Sequence, residues 1–236
     1  MENTLISKLK LISNKYKFIE KILIVPSFYI GYQILESLAR YGAGWINLKA
    51  VTAASLAEEI TEEKLYKEKL DRISTLESNF LIDEIFTKLA ESGSLKYFKK
   101  HTINTGIISA IGSIIAELKS SGISPQTLKS KYFIGRDKAE DLKLIFLRYE
   151  AMLKEKKLVD SVDIISAACD LMKNKIVSED KKYIVLSRYN VSEIEKKFLE
   201  KLCGKSLIIV EEEEIYGKKI GIWKENCNGL PLGKSI

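Results

Sequence analysis

Few residues of this 236-residue chain have the type and spacing that could do chemistry. Histidine occurs once, at His101, inside Lys99-Lys100-His101-Thr102, a polar junction with no partner motif for a nucleophilic serine. Cys169, Cys203 and Cys227 stand 34 and 24 residues apart with no C-x-x-C pair, so no zinc site or redox pair is predicted and the thiols read as buried or idle. Two Gly-Lys-Ser triplets invite a phosphate-binding reading, and both fail on context. Gly204-Lys205-Ser206 follows a predicted helix and leads into a strand, the reverse of a P-loop, and Gly233-Lys234-Ser235 has Asn228 where the first glycine belongs. Gly42-Ala43-Gly44 also lies on the helix-to-strand side and lacks a third glycine. Four consecutive acids, Glu211 to Glu214, cannot all face one cation from a strand, because alternate side chains point oppositely. Asp160 and Asp163 could share a metal by spacing, but capping of a helix start and interaction with its dipole explain them at less cost.

Two stretches interleave cations with aromatics: Lys96-Tyr97-Phe98-Lys99-Lys100, and the segment holding Lys129, Lys131, Tyr132, Phe133 and Arg136. That composition suits phosphate contact plus base stacking, and equally an amphipathic surface with buried rings. Net charge is +6 and unevenly spread: residues 1–57 carry 7 basic against 3 acidic residues, and residues 58–100 carry 8 against 10. Residues 101–178 carry 12 against 9, and residues 179–236 carry 11 against 10. The alternation suits a polyanion-facing groove and also an ordinary solvated surface.

These groups must be positioned by elements whose signals change along the chain. Hydrophobic residues at 46% with 3 prolines predict an ordered, helix-rich protein, and no apolar run is long enough to span a membrane. Met1 is followed by Glu2 rather than by a basic start and an apolar run, so a cytoplasmic location is expected. Lys21 to Val25 reads as a strand stopped by Pro26; Ile34, Leu35, Leu38 and Tyr41 repeat at helical spacing; Ile46 to Val51 is a second β-branched run. From about Thr52 to Lys175 helices alone are expected. Their signals are a capping box at Ser74 and Glu77, a run from Ile103 to Ser120, an N-cap at Ser124 before Pro125, an apolar face from Leu142 to Leu153, and a start at Asp160. Strand signals return at Tyr183 to Leu186 and Leu207 to Val210, around a helix opened by Ser192 and Glu195. The expected fold class is therefore α/β: one parallel sheet with Ile22, Leu48, Ile184 and Ile208 on neighbouring strands, and a large all-helical insertion. The corresponding domains are 1–60 with 179–216 as a discontinuous α/β domain, 61–178 as the inserted helical domain, and 217–236 as a tail or truncated continuation.

The order of these pieces resembles the N-terminal region of the B subunit of ATP-dependent helicase/deoxyribonucleases, the AddB/RexB type. The matching stretches are Ile24-Val25-Pro26 with Gln33, Leu35 and Glu36; Val51 to Ala57; Glu117-Leu118-Lys119 with Gly122 to Pro125; Asp141-Leu142 with Tyr149-Glu150; and Val159-Asp160 with Asp163. The resemblance implies a UvrD-helicase-like, degenerate P-loop-type sheet that has lost motor function. About twenty residues precede Ile24 and read as a helix from Leu5 to Asn14, where active relatives place a P-loop strand. Leu186-Ser187-Arg188-Tyr189 stands where a motor carries the acids that hold magnesium. The nuclease motif of this PD-(D/E)XK family and its cysteine-ligated cluster belong to a C-terminal region this chain does not reach, so a fragment of a longer protein is expected.

What the resemblance implies is a non-catalytic, helicase-like DNA-handling domain of a helicase/exodeoxyribonuclease subunit in double-strand-break repair and recombination. Its partners would be single-stranded or duplex-end DNA and a motor subunit, with no cofactor or metal in this chain. Two rivals remain: a protein–protein assembly domain of the same complex, and an unrelated small-molecule α/β enzyme using a pocket at the sheet's switch point. Relatives thread single strands near the ends of the first two strands, which carries over to Ser27, Phe28 and Thr52. For Arg188 and Tyr189 the argument is physical, a guanidinium and a ring able to pair with phosphate or stack on a base. Lys129, Lys131 and Arg136 complete the expected DNA contacts.

Overall fold

The computed structural model describes residues 4–41, 47–100, 104–129, 131, 133–174, 180–187, 191–210 and 224–225. They divide into two compact units, one from residues 1–60 and 168–236, the other from residues 61–167.

The first unit is built on β1 (Glu20–Ile24), β2 (Leu48–Val51), β5 (Lys181–Leu186), β6 (Leu207–Val210) and β7 (Lys224–Glu225) in the order β2-β1-β5-β6-β7. The first four are parallel, with Ile22 opposite Lys49 and Tyr183, and Ile184 opposite Ile208; β7 joins antiparallel to β6. The four segments read as strands are thus neighbours in one sheet. Both parities of β1 are buried, Ile22 and Ile24 as well as Leu23 and Val25, which is why the run is continuously apolar rather than alternating. On one face, α1 (Thr4–Lys15) contributes Ile6, Leu9 and Ile12, and α2 (Phe28–Arg40) contributes Ile34 and Leu38. The helix expected from Leu5 to Asn14 is this α1. Lys21, inside the strand, is fully buried, and its Nζ donates to the Tyr16 and Ile19 carbonyls at 2.7 and 2.8 Å, just past the end of α1. Burial holds its ammonium below the ordinary lysine value.

The second unit holds α4 (Thr75–Glu91), α5 (Thr105–Ser120) and α6 (Arg136–Lys156). Ile82, Ile85, Phe86 and Leu89 meet Ile108, Ile111 and Ile115 and the face Leu142, Ile145, Phe146, Tyr149 and Leu153 in one core. Each such side chain contributes about 1.5–3 kcal/mol when fully buried, and the three-and-four spacing puts them on one side of each helix. The capping boxes at Ser74 with Glu77 and Ser192 with Glu195 are both formed, the latter opening α8 (Glu193–Cys203). The chain passes between the units within α3 (Ala53–Glu68) and α7 (Ser161–Leu171).

Two expectations are corrected. The stretch between β2 and β5 is not all helical: β3 (Asp71–Arg72) pairs in parallel with β4 (Leu158–Val159). Two-residue strands, one of them wholly polar, leave no period to read. Ser124 and Pro125 open a single turn and not a helix, with Ser124 O accepting from Thr127 N and Leu128 N, both at 3.0 Å. Leu128 is the sole apolar side chain from Gln126 to Lys129, so no second turn had a face to bury.

Candidate functional site

The C-terminal ends of β1 and β2 adjoin: Ile24 is opposite Val51, and Val25 N donates to Val51 O at 2.9 Å. A helix starts just beyond each end. Ser27, extended at φ −151°, caps α2 by accepting from Ile30 N at 3.4 Å. Thr52 caps α3: its Oγ1 accepts from Ser55 N, while Ser55 Oγ accepts from Thr52 N, both at 3.1 Å. Neither helix has an acid in its first turn, so both positive ends face this rim uncompensated by a first-turn carboxylate.

α2 must bury Gly31, Ile34 and Leu38 against the sheet. Gly31 permits the approach, because a Cβ there would lie 2.8 Å from Ala50 Cβ and 3.2 Å from Val25 Cγ2. Turning that stripe inward turns Phe28, Tyr29 and Tyr32 outward, 61%, 70% and 67% exposed. Phe28 and Tyr29 lie four and three positions before Tyr32, so the rings share the outer surface of the first turns. Helix ends that favour anions beside exposed rings suit a phosphate backbone with unstacked bases.

The structure thus brings Ser27, Phe28 and Thr52 to one edge. Arg188 and Tyr189 lie outside the described residues, as do His101, Cys227, Gly42 to Gly44, the acidic run from Glu211 and the Gly233 triplet. Lys129 and Lys131 are exposed in the loop before α6, and Arg136 begins α6 and pairs with Glu140 at 2.9 Å, all in the second unit. Tyr29 and Tyr32 were absent from the sequence-derived site. The signal that could have found them is the helical wheel fixed by Gly31, Ile34 and Leu38.

Gly204 to Ser206 form one tight turn between α8 and β6, and Ser206 is buried, so neither Lys205 nor Ser206 opens a helix as a phosphate cradle does. Cys169 and Cys203 are buried, and burial pushes the Cys203 thiol up, away from reactivity. A cavity of about 570 Å³ lies between α4 and α5, lined by Leu76, Phe80 and Ile108 with Asn79 and Ser109; Asp83 is the one ionisable group among its lining residues.

Three of the stretches that carried the resemblance, those holding Lys119, Tyr149 with Glu150, and Asp160 with Asp163, meet elsewhere, in a buried clasp of the second unit. Lys119 Nζ lies 2.7 Å from Asp160 Oδ2, 2.8 Å from Glu150 Oε1 and 2.9 Å from Asp163 Oδ1. Asp160 Oδ1 caps α7 through Val162 N and Asp163 N at 3.0 Å, and the Tyr149 hydroxyl donates to Asp160 Oδ2 at 3.1 Å. Burial alone would lower the Lys119 ammonium, but the charges of Asp160 and Asp163 outweigh it and hold it above its ordinary value. Burial, then the Asp160 charge, pushes Asp163 up to about 6. The clasp joins α5, α6 and the start of α7. Among the described residues no group of histidine, cysteine and acids is arranged to hold a metal.

A parallel α/β unit whose rim carries exposed rings, accompanied by a helix-rich unit closed by an ionic clasp, defines a helix-rich α/β protein. The family described as ADDB, N-terminal, matches residues 5–210, a span that takes in both rim and clasp, and the chain belongs to this family of N-terminal regions of DNA-repair helicase/nuclease subunits. No curated protein matches the chain.

Proposed function

We propose that the chain is a non-catalytic, helicase-like DNA-handling domain, which guides single-stranded or duplex-end DNA in a double-strand-break processing complex while a motor subunit and nuclease do the catalysis. The observation that carries the reading is the exposure of Phe28, Tyr29 and Tyr32 beside the N-termini of α2 and α3. Stacking a base on an aromatic ring contributes about 1–3 kcal/mol, so the three rings give a useful if weak grip on any sequence. Family membership supports DNA as the ligand. Lys205 and Ser206 form no phosphate cradle, because their turn leads into β6 instead of opening a helix.

The test is fluorescence anisotropy of labelled single-stranded DNA with the parent chain and with a Phe28→Ala, Tyr32→Ala variant. Tenfold or greater weakening in the variant supports the reading. Equal binding by both removes the rim. The same exposed rings favour one alternative, an assembly surface for the motor subunit, and absence of DNA binding by the parent chain would move the reading there.

A further inference from the structure

The two cation and aromatic stretches are some 35 residues apart in sequence, yet the second unit brings Lys96 and Tyr97 of the first to the start of α6, where Arg136 ends the second. Asp141 accepts from the backbone N–H groups of Lys96, Tyr97 and Phe98 at 2.9, 2.8 and 3.0 Å, pinning that turn against the start of α6. Glu140 then bridges Lys96 Nζ at 2.7 Å and Arg136 Nε at 2.9 Å. Lys138 Nζ stands 5.8 Å from the centre of the Tyr97 ring. Lys99 is exposed in the pinned turn, and Lys131 is exposed in the loop that enters α6.

The acids here are largely committed. Asp141 is buried under three N–H donors, and Glu140 is shared by two cations, leaving Asp137 as the remaining acid of the first turn. Against these three acids stand five cations, Lys96 and Arg136, which share Glu140, together with the exposed Lys99 and Lys131 and with Lys138. The N-cap of α6 is Gly135, at φ 112°, which has no side chain to cap the first-turn N–H groups. Of these cations, Lys138 stands over Tyr97, a partly exposed ring.

We propose that this surface is a second DNA site, binding the phosphodiester backbone through Lys99, Lys131, Arg136 and Lys138; it rests on the DNA-handling reading above and adds a contact separate from the rim. Exposed lysines around one ring favour charge-driven, sequence-independent contact over base readout.

The experiment measures binding of the full chain to labelled single-stranded DNA as a function of salt, for the parent, for Lys99→Ala/Lys131→Ala/Lys138→Ala, and for Phe28→Ala/Tyr32→Ala, with circular dichroism to establish folding. Each phosphate contact on a single strand contributes about 0.7 to the slope of log K against log salt, so the triple lysine variant should flatten the slope by about 2, while the rim variant leaves it unchanged. A parent slope retained in the folded lysine variant overturns the second site and leaves the rim reading standing. Flattening in the lysine variant with full binding by the rim variant supports the second site and overturns the rim. No binding by the parent overturns both. Equal competition by polyglutamate of matched charge overturns the assignment to nucleic acid.

Discussion

Replacing Lys119 by Met keeps the apolar stem and removes the charge that three carboxylates share. The Lys119 side chain is 8% exposed and Asp160 11%, whereas Asp163 and Glu150, at 32% and 37%, keep part of their hydration. Breaking a buried ion pair by removing one partner costs about 3–5 kcal/mol, and the partial hydration of two acids puts this case near the lower end. With a urea m-value of about 2 kcal/mol/M, a loss of about 3 kcal/mol moves the midpoint down by about 1.5 M. Urea unfolding followed by circular dichroism reads the midpoint, and hydrogen exchange locates the loss, expected in α5, α6 and α7. Acidification supplies the diagnostic. Once protonated, the Asp163 carboxyl needs no ammonium, so the deficit of Lys119→Met should shrink as pH falls from 7 through 6 toward 4. An unchanged midpoint at pH 7, or an equal deficit at both pH values, would refute the reasoning.

Asp163→Asn tests the same clasp with the opposite sign: the folded carboxyl titrates at about 6, above the unfolded value of about 3.9, so its contribution is fully present below pH 4 and is lost as pH rises through 6. The variant should show a flatter stability profile from pH 4 to 7 and be more stable than the parent by about 1 kcal/mol at pH 7 once its one-third exposure is allowed for; a steeper profile would contradict this. Gly31→Ala, which in an open helix would gain up to about 1 kcal/mol, should instead lower stability by about 1–2 kcal/mol because of the 2.8 Å approach to Ala50 Cβ. Adding Ala50→Gly should recover part of that loss in thermal melts. The purified chain should show no magnesium-dependent ATP turnover; turnover lost on changing Lys205 or Lys234 would restore a P-loop reading.

The sheet was legible because three short apolar runs, in β1, β5 and β6, show no alternation and so require burial on both faces, and such runs fit a parallel sheet better than anything else of that length. The capping boxes at Ser74 and Ser192 were legible because three-residue spacing carries its own geometry. The β3 and β4 ladder was not, since pairing between residues 71 and 158 is a property of the folded helices that deliver them. Lys119 lies in one of the stretches that carry the resemblance, and it continues the buried stripe of Ile108, Ile111 and Ile115, but only folding shows which acids surround it. The rim was half legible. Strand ends predicted Ser27, Phe28 and Thr52, whereas the exposure of Tyr29 and Tyr32 depends on which face of α2 meets the sheet. The joining of residues 96–98 to Asp141 left no periodic trace at all.

The claim that this domain handles DNA through its sheet edge is tested most directly by titrating labelled single-stranded DNA with the parent chain and the Phe28→Ala, Tyr32→Ala variant at about 50 and 200 mM salt. The account predicts weak, salt-sensitive binding by the parent and at least tenfold weaker binding by the folded variant at both salts, because stacking is lost while charge is untouched. Binding by the variant equal to that of the parent, or none by the parent at the lower salt, would contradict it.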